Sequence, residues 1–90
     1  MALTYLSLIK VSPAHTRDVE KALRELITNP PAGVKVEGAW STFGAIDFAI
    51  AFSAENPESA MTFVVDKIRF LPGVTSTETL QGQSLAPART

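Results

Sequence analysis

The chain has 90 residues, enough for one small domain but not for two. A domain of this size buries only about 60–65% of its unfolded surface, so its core is small. Hydrophobic residues nevertheless make up 46% of the chain, and charged residues only 19%. We therefore expect part of the apolar surface to be covered by another molecule.

Charge and residue usage exclude several classes of function. Eight basic and nine acidic residues give a net charge of −1, whereas binding to a phosphate backbone needs a basic face, so no direct contact with nucleic acid is expected. Zero cysteines and one histidine argue against disulfides, thiolate chemistry, a zinc site or another cofactor. Lys10 directly follows a short apolar run, which is neither a signal peptide nor a membrane span. A cytoplasmic protein without a membrane partner is expected.

The first half of the chain predicts a strand, a helix and a second strand. Residues 2–11 are rich in leucine, aromatic and β-branched residues, which favours a strand with both faces covered. Thr16 is the expected N-cap of a helix that runs to about Ile27, because apolar residues recur there with helical spacing. Alternation over residues 34–41 predicts a half-exposed strand. Its apolar face is expected to carry Val34, Val36, Gly38 and Trp40.

The second half predicts a strand, a helix and a last strand. Residues 45–52 have one bulky face and one face of small residues, which the carboxylate of Asp47 interrupts. Asn56 is the expected cap of a helix that runs to about Phe70. Phe63 and Phe70 lie away from the centre of its core stripe and either widen it or face a partner. Residues 74–80 predict the last strand. The core stripe of the second helix is expected to be Met61, Val64, Val65, Ile68 and Leu71.

This order of elements predicts an α+β fold. The β-α-β-β-α-β succession is that of a ferredoxin-like domain, whose four-stranded antiparallel sheet carries both helices on one face. Residues 1–81 form the expected single domain and residues 82–90 its C-terminal tail. Because the first and third strands lack a clean polar face, we expect the free face of the sheet to pack against a second copy in a homodimer.

Two polar features are the candidate ligand groups. The carboxylate of Asp47 either bonds turn amides or water near the start of its strand or receives the ammonium group of a ligand. The hydroxyls of Thr75, Ser76 and Thr77 either reflect the preference of threonine for strands or serve a zwitterionic ligand, since each can donate and accept.

Trp40 and His15 are weaker candidates for residues of a functional site. Trp40 is read as a core or interface anchor rather than a platform for ligand stacking. His15 is read as a solvated loop residue, with a role in a site as the alternative. No nucleophile–base pair, metal-ligand spacing or phosphate-binding loop is present in the sequence, so no catalytic residue is predicted and the chain is not expected to be an enzyme.

Two segments resemble the ligand-binding domain of Lrp/AsnC regulators. Residues 66–80, where a Pro-Gly-Val turn leads into a threonine-rich strand, are similar to the C-terminal half of that domain. Residues 36–40, followed by Gly-Ala-Ile-Asp at 44–47, are similar to its valine strand and Gly-x-Tyr-Asp turn. The resemblance covers about residues 3–81. It implies a dimeric α/β barrel, often assembled into rings of dimers, that binds amino acids or related effectors.

The resemblance also implies which residues bind the effector. Gly44 and Asp47 match the family's ligand loop, and Thr75, Ser76 and Thr77 match its hydroxyl segment. Two positions differ from the family pattern: Ile46 replaces the usual tyrosine, and Ala45 replaces a commonly polar residue.

The expected function is that of a stand-alone effector-binding and oligomerisation module in transcriptional regulation, because the chain begins at the first strand without a helix-turn-helix. One alternative is an interaction module that co-assembles with full-length Lrp/AsnC regulators and binds no ligand itself. Another is a small cofactor-free oxygenase or isomerase-like enzyme, because residues 5–10 and 40–44 also resemble other proteins of the same barrel superfamily. Fold alone does not separate these functions.

Overall fold

The computed structural model describes residues 3–83, which form four strands and two helices in the predicted order. The strands are β1 (Leu3–Val11), β2 (Val34–Ser41), β3 (Phe48–Ala54) and β4 (Val74–Gly82). The helices are α1 (Thr16–Thr28) and α2 (Pro57–Thr62), which continues as a π-helical segment, Phe63–Ile68. Of the predicted tail, Gly82 is the last residue of β4, and residues 84–90 lie outside the described residues.

The four strands form one antiparallel sheet in the order β2-β3-β1-β4. The ferredoxin-like α+β fold is thus confirmed. Side chains on alternate faces of a strand serve different layers, and here the odd-numbered residues of β1 face the helices together with the even-numbered residues of β3. Tyr5 lies opposite Phe52, and Ile9 lies opposite Phe48, all four buried.

The core between sheet and helices is built around aromatic rings. The ring of Phe52 stacks on that of Tyr5 at a centroid distance of 5.3 Å, and Phe63 meets Phe52 edge-on at 4.7 Å. Ile9 and Ile68 are fully buried beside them. Each buried aromatic side chain removes a large apolar area from water, so these contacts dominate the stability of so small a core.

A β-bulge in β2 changes the face on which its second half lies. Val36 pairs with Phe52, but Gly38 pairs with Ala51, so Glu37 is the extra residue. Val34 and Val36 therefore face the helices, as predicted, whereas Gly38 and Trp40 face the other side of the sheet. The prediction that all four share one face was wrong, because one inserted residue reverses the alternation.

Helix α1 begins differently from the prediction. Pro13–His15 form a 3₁₀ turn that leads directly into the helix, so Thr16 is its first residue and His15 occupies the N-cap position. The hydroxyl of Thr16 donates to the carbonyl of Pro13 at 3.2 Å rather than accepting a helix amide. The N-cap assignment of Thr16 was wrong because the proline already starts a helical turn upstream.

Helix α2 confirms its predicted cap and most of its predicted core stripe. The side-chain Oδ1 of Asn56 accepts the amide of Ser59 at 2.7 Å. Val64 and Ile68 are buried as predicted and Leu71 packs against the core, whereas Met61 is 65% exposed and was wrongly assigned to the stripe. Phe63 widens the stripe, because it is 1% exposed and its ring meets that of Phe52. Helical turns end at Ile68 rather than Phe70.

Candidate ligand site and sheet interface

The predicted ligand residues Asp47 and Thr75 lie on either side of one peptide group at the end of β1. The backbone N–H of Val11 donates to Oδ2 of Asp47 at 2.8 Å, and the hydroxyl of Thr75 donates to the carbonyl of Lys10 at 3.2 Å. The N–H and the C=O of a trans peptide point in opposite directions, so the two side chains approach β1 from β3 and from β4. The structure thus brings them to the same end of the sheet, separated by β1.

This arrangement has a local cause. The pairing of β1 with β4 shifts register between Lys10 and Val11, which leaves the carbonyl of Lys10 to Thr75. The pairing of β1 with β3 ends at Ile9 and Phe48, which leaves the amide of Val11 to Asp47. Asp47 therefore bonds a backbone amide near the start of its strand, but this amide belongs to β1 and not to the turn that one of its two interpretations named. Its role towards a ligand ammonium stays a prediction.

The turn before Asp47 is closed by its own hydrogen bonds. The amide of Thr42 donates to the carbonyl of Asp47 at 2.9 Å, and the hydroxyl of Thr42 donates to the carbonyl of Ile46 at 2.8 Å. Gly44 lies at the exposed part of this turn with φ +124°, a conformation that favours glycine, and Phe43 is fully exposed beside it.

The other predicted hydroxyls line a groove at the start of β4. Thr75, Ser76 and Thr77 border it together with Val74 and with Arg69, which follows the π-helical segment; its volume is about 290 Å³. Arg69 was not predicted as a site residue. A cation at the end of a helix is usually explained by the helix dipole, and only the chain reversal at Pro72-Gly73 places it beside the threonines.

The enzyme alternative would need a polar cavity around Tyr5, His15 or Asp47, and these residues lie apart. Tyr5 is buried in the core, six residues along β1 from Val11 and so about 20 Å away. Its hydroxyl has no hydrogen-bond partner within residues 3–83. The ring of His15 packs directly against Gly73, where an added Cβ would lie 2.2 Å from the histidine's own Cβ. Tyr5, His15 and Asp47 therefore do not form one site.

The described residues contain neither a group placed to hold a metal ion nor a membrane-spanning helix. Within residues 3–83 no group of three or more His, Asp or Glu side chains is placed to hold a metal ion. No helix in the same part of the chain is long and apolar enough to cross a membrane.

The sheet face turned away from the helices, which we call the open face, is apolar at its centre. Leu6 lies between Ala51 on β3 and Leu80 on β4. Charged residues lie on the edge strands and at the end of β1. The apolar residues of the open face are Leu6, Leu8, Trp40, Ala49, Ala51 and Leu80; the charged ones are Lys10, Lys35, Glu37 and Glu78.

Trp40 is the largest group on the open face. Its indole lies over Gly38, where an added Cβ would be 2.9 Å from the ring, and it remains 54% exposed. It is therefore not a core residue, and its roles as an interface anchor or as a platform for ligand stacking stay predictions.

Removing the carboxylate of Asp47 should destabilise the fold. In Asp47→Ala the buried N–H of Val11 loses its acceptor, and we expect the free energy of unfolding to fall by about 1–3 kcal/mol. Asp47→Asn keeps an acceptor oxygen and should lose clearly less. Urea denaturation measures both, with Asp18→Ala on the exposed side of α1 as the control. Equal stability of wild type and Asp47→Ala would contradict the role of this hydrogen bond.

Comparison with known proteins gives matches in structure rather than in sequence. No protein-family model and no curated protein sequence matches the chain. The solved structure of TTHA0845 from Thermus thermophilus is 26% identical, covers 96% of this chain and 99% of its own, and has a TM-score of 0.78.

Several similar structures are transcriptional regulators. AsnC from E. coli is 20% identical with a TM-score of 0.72; the match covers 98% of this chain but only 55% of AsnC. The regulator NMB0573 from Neisseria meningitidis, solved as a complex with L-Met, is 15% identical with a TM-score of 0.75 and coverages of 98% and 54%.

The same fold also occurs in a protein described as a putative antibiotic biosynthesis monooxygenase, from Bacteroides thetaiotaomicron. It is 17% identical with a TM-score of 0.70, and the match covers 99% of this chain and 94% of that one. At such identities the likeness shows the fold alone. The chain thus has the ferredoxin-like fold that Lrp/AsnC regulators share with monooxygenase-like proteins.

Proposed function

We propose that the protein is a non-enzymatic, homodimeric module that binds an amino acid or a similar small molecule and acts in transcriptional regulation. In this proposal two copies pack through their open faces, and the effector binds at the end of the sheet that carries Asp47 and the groove of Thr75, Ser76 and Thr77. The single observation that carries the proposal is the apolar centre and charged rim of the open face, on a fold shared with effector-binding regulators.

The size of the open face supports a dimer. Four strands of seven to nine residues, spaced about 4.8 Å apart, present a face of about 25 × 20 Å. This projection of about 500 Å² is a lower bound on its accessible area, to be compared with the roughly 800 Å² per partner of a stable interface. An apolar centre with a polar rim is also the usual anatomy of such interfaces.

The chemistry at the sheet end supports a small polar ligand. The second carboxylate oxygen of Asp47 remains available to accept from an ammonium group, since the Val11 amide uses Oδ2. Hydroxyls at the start of β4 offer donors and acceptors for a carboxylate. A non-enzymatic role is supported by the filling of the space between sheet and helices with Phe52, Phe63 and Ile9 rather than with polar groups.

A ligand screen tests the effector part of the proposal. Each of the twenty standard L-amino acids is added to the purified protein, and the melting temperature and the native mass are measured. A ligand at a hundred times its dissociation constant should stabilise the fold by about 2.7 kcal/mol, which raises the melting temperature by several degrees. If no amino acid changes either quantity, the effector role is wrong.

Co-assembly with a full-length regulator is a second candidate, because the apolar centre of the open face could pair with the same face of another protein of this fold, such as AsnC, whose match covers 98% of this chain. In such a mixed dimer this chain and the regulator would pair through their open faces. The test mixes the tagged protein with full-length Lrp/AsnC regulators purified from its source cells. Recovery of a stoichiometric mixed dimer supports co-assembly, and recovery of the tagged chain alone contradicts it.

A further inference from the structure

We propose that Arg69 is the anion anchor of the groove at the start of β4 and makes it selective for ligands that carry a carboxylate. The inference rests on the proposed function, because it names the chemical group by which that same site would recognise its effector. It adds a residue that neither the sequence pattern nor the resemblance assigned to the site.

The first observation behind this proposal is the charge of the groove. Among residues 3–83, Arg69 is the only charged residue that borders it, beside Val74 and three hydroxyl residues, and no Asp or Glu of this part does. Within residues 3–83 no carboxylate forms an ion pair with its guanidinium; the one ion pair there joins Arg24 to Glu20 on α1. The groove is therefore positive and has no internal partner for that charge.

The second observation is the geometry of the guanidinium and of the hydroxyls. A guanidinium offers several N–H donors in one plane, which match the two oxygens of a carboxylate. Thr75 donates its hydroxyl proton to the carbonyl of Lys10. Thr77 pairs with Ile9 and so lies on the helix side of the sheet, and its hydroxyl makes no hydrogen bond within residues 3–83. Ser76 pairs with Lys10 and lies on the open face, so its hydroxyl does not converge with that of Thr77. A cation with one free neutral donor fits an anion better than a neutral ligand.

Arg69 is the C-cap residue of the π-helical segment, so it shares with Lys67, in the last turn, the favourable interaction of a cation with the helix dipole. The two residues differ in the groove that each borders. Lys67 borders other grooves, between α1 and α2 and beside Pro31, but not the one at β4. Lys67→Gln is therefore a matched control, because it removes the same charge two residues away.

The experiment measures anion binding at the groove by NMR. Sodium acetate, the smallest organic carboxylate with a methyl group, is titrated into ¹⁵N-labelled wild type, Arg69→Gln and Lys67→Gln, with sodium chloride at matched ionic strength as the blank. We expect saturable shifts of the amide signals of residues 75–77 in wild type and Lys67→Gln. Arg69→Gln should need about tenfold more acetate, the loss expected for one charged hydrogen bond.

Three results would overturn the inference: no response of residues 75–77 in wild type, an equal response in Arg69→Gln, or an equal loss in Lys67→Gln. Tighter binding of inorganic phosphate than of acetate would overturn the carboxylate selectivity. The proposed function fails separately. If acetate binding depends on Arg69 but no amino acid raises the melting temperature, the anion site stands and the amino-acid effector is wrong.

Discussion

Replacing Leu6 with aspartate is expected to convert the protein from a dimer into a folded monomer. Leu6 lies at the centre of the open face, between Ala51 and Leu80. In the proposed dimer the substitution buries two unpaired carboxylates, one from each copy, and such burial costs several kcal/mol. We expect the dimer dissociation constant to rise more than a hundredfold. Light scattering coupled to size-exclusion chromatography should give 9.6 kDa instead of twice that mass.

The control is Met61→Asp, which places the same carboxylate on an exposed apolar residue of α2. This variant should stay dimeric, and circular dichroism should show both variants folded. A wild type that is monomeric at 100 µM, or a Leu6→Asp variant that remains dimeric, would exclude the open face as the interface.

Replacing Phe52 with alanine should cause the largest loss of stability. Phe52 has no exposed surface and contacts the rings of both Tyr5 and Phe63. Truncation removes the apolar contacts and leaves a cavity, so we expect the free energy of unfolding to fall by about 3–5 kcal/mol. Small domains have only about 5–15 kcal/mol in total, so the variant should be largely unfolded at moderate urea concentrations.

The chain provides its own control for this change. Phe43 is fully exposed in the turn between β2 and β3, so Phe43→Ala removes the same atoms without opening a cavity. Its effect on stability should stay within about 0.5 kcal/mol. Comparable losses in the two variants would mean that the aromatic cluster around Phe52 does not dominate the core.

The order of elements could be predicted from the sequence because each element has a strong local signal. Asn56-Pro57 marks the start of α2, and the alternation of large and small residues around Ile50 marks a central strand. Their boundaries moved by one to three residues: β3 begins at Phe48 rather than at residue 45. The cause is that the turn before it is held by hydrogen bonds of Thr42 with later residues.

The predictions that were wrong concern features that depend on contacts between distant residues. The bulge at Glu37 has one local hint, the glycine that follows it, but its existence is decided by pairing with β3. In α2, Phe63 could either widen the core stripe or face a partner, and its contact with the ring of Phe52 decides for the core.

The candidate site could be predicted in part. The carboxylate of Asp47 in an otherwise apolar strand indicated a specific role, and it does accept a hydrogen bond from the amide of Val11. That this partner shares a peptide group with the carbonyl bound by Thr75 follows only from where the pairing of β1 with β3 ends and where its pairing with β4 shifts register. Arg69 could not be predicted as a site residue, because the fold, and not its spacing in the sequence, places it beside the threonines.

The bulge in β2 also determines whether the strand tolerates the deletion of one residue. Val36 belongs to the layer shared with the helices, whereas Trp40 belongs to the layer on the far side of the sheet. Deleting Glu37 would close the bulge and leave both halves of the strand on their present faces, because Gly38 could still pair with Ala51. In a regular strand the loss of one residue exchanges the two faces beyond it. This edge strand can therefore shorten by one residue without disturbing either apolar layer.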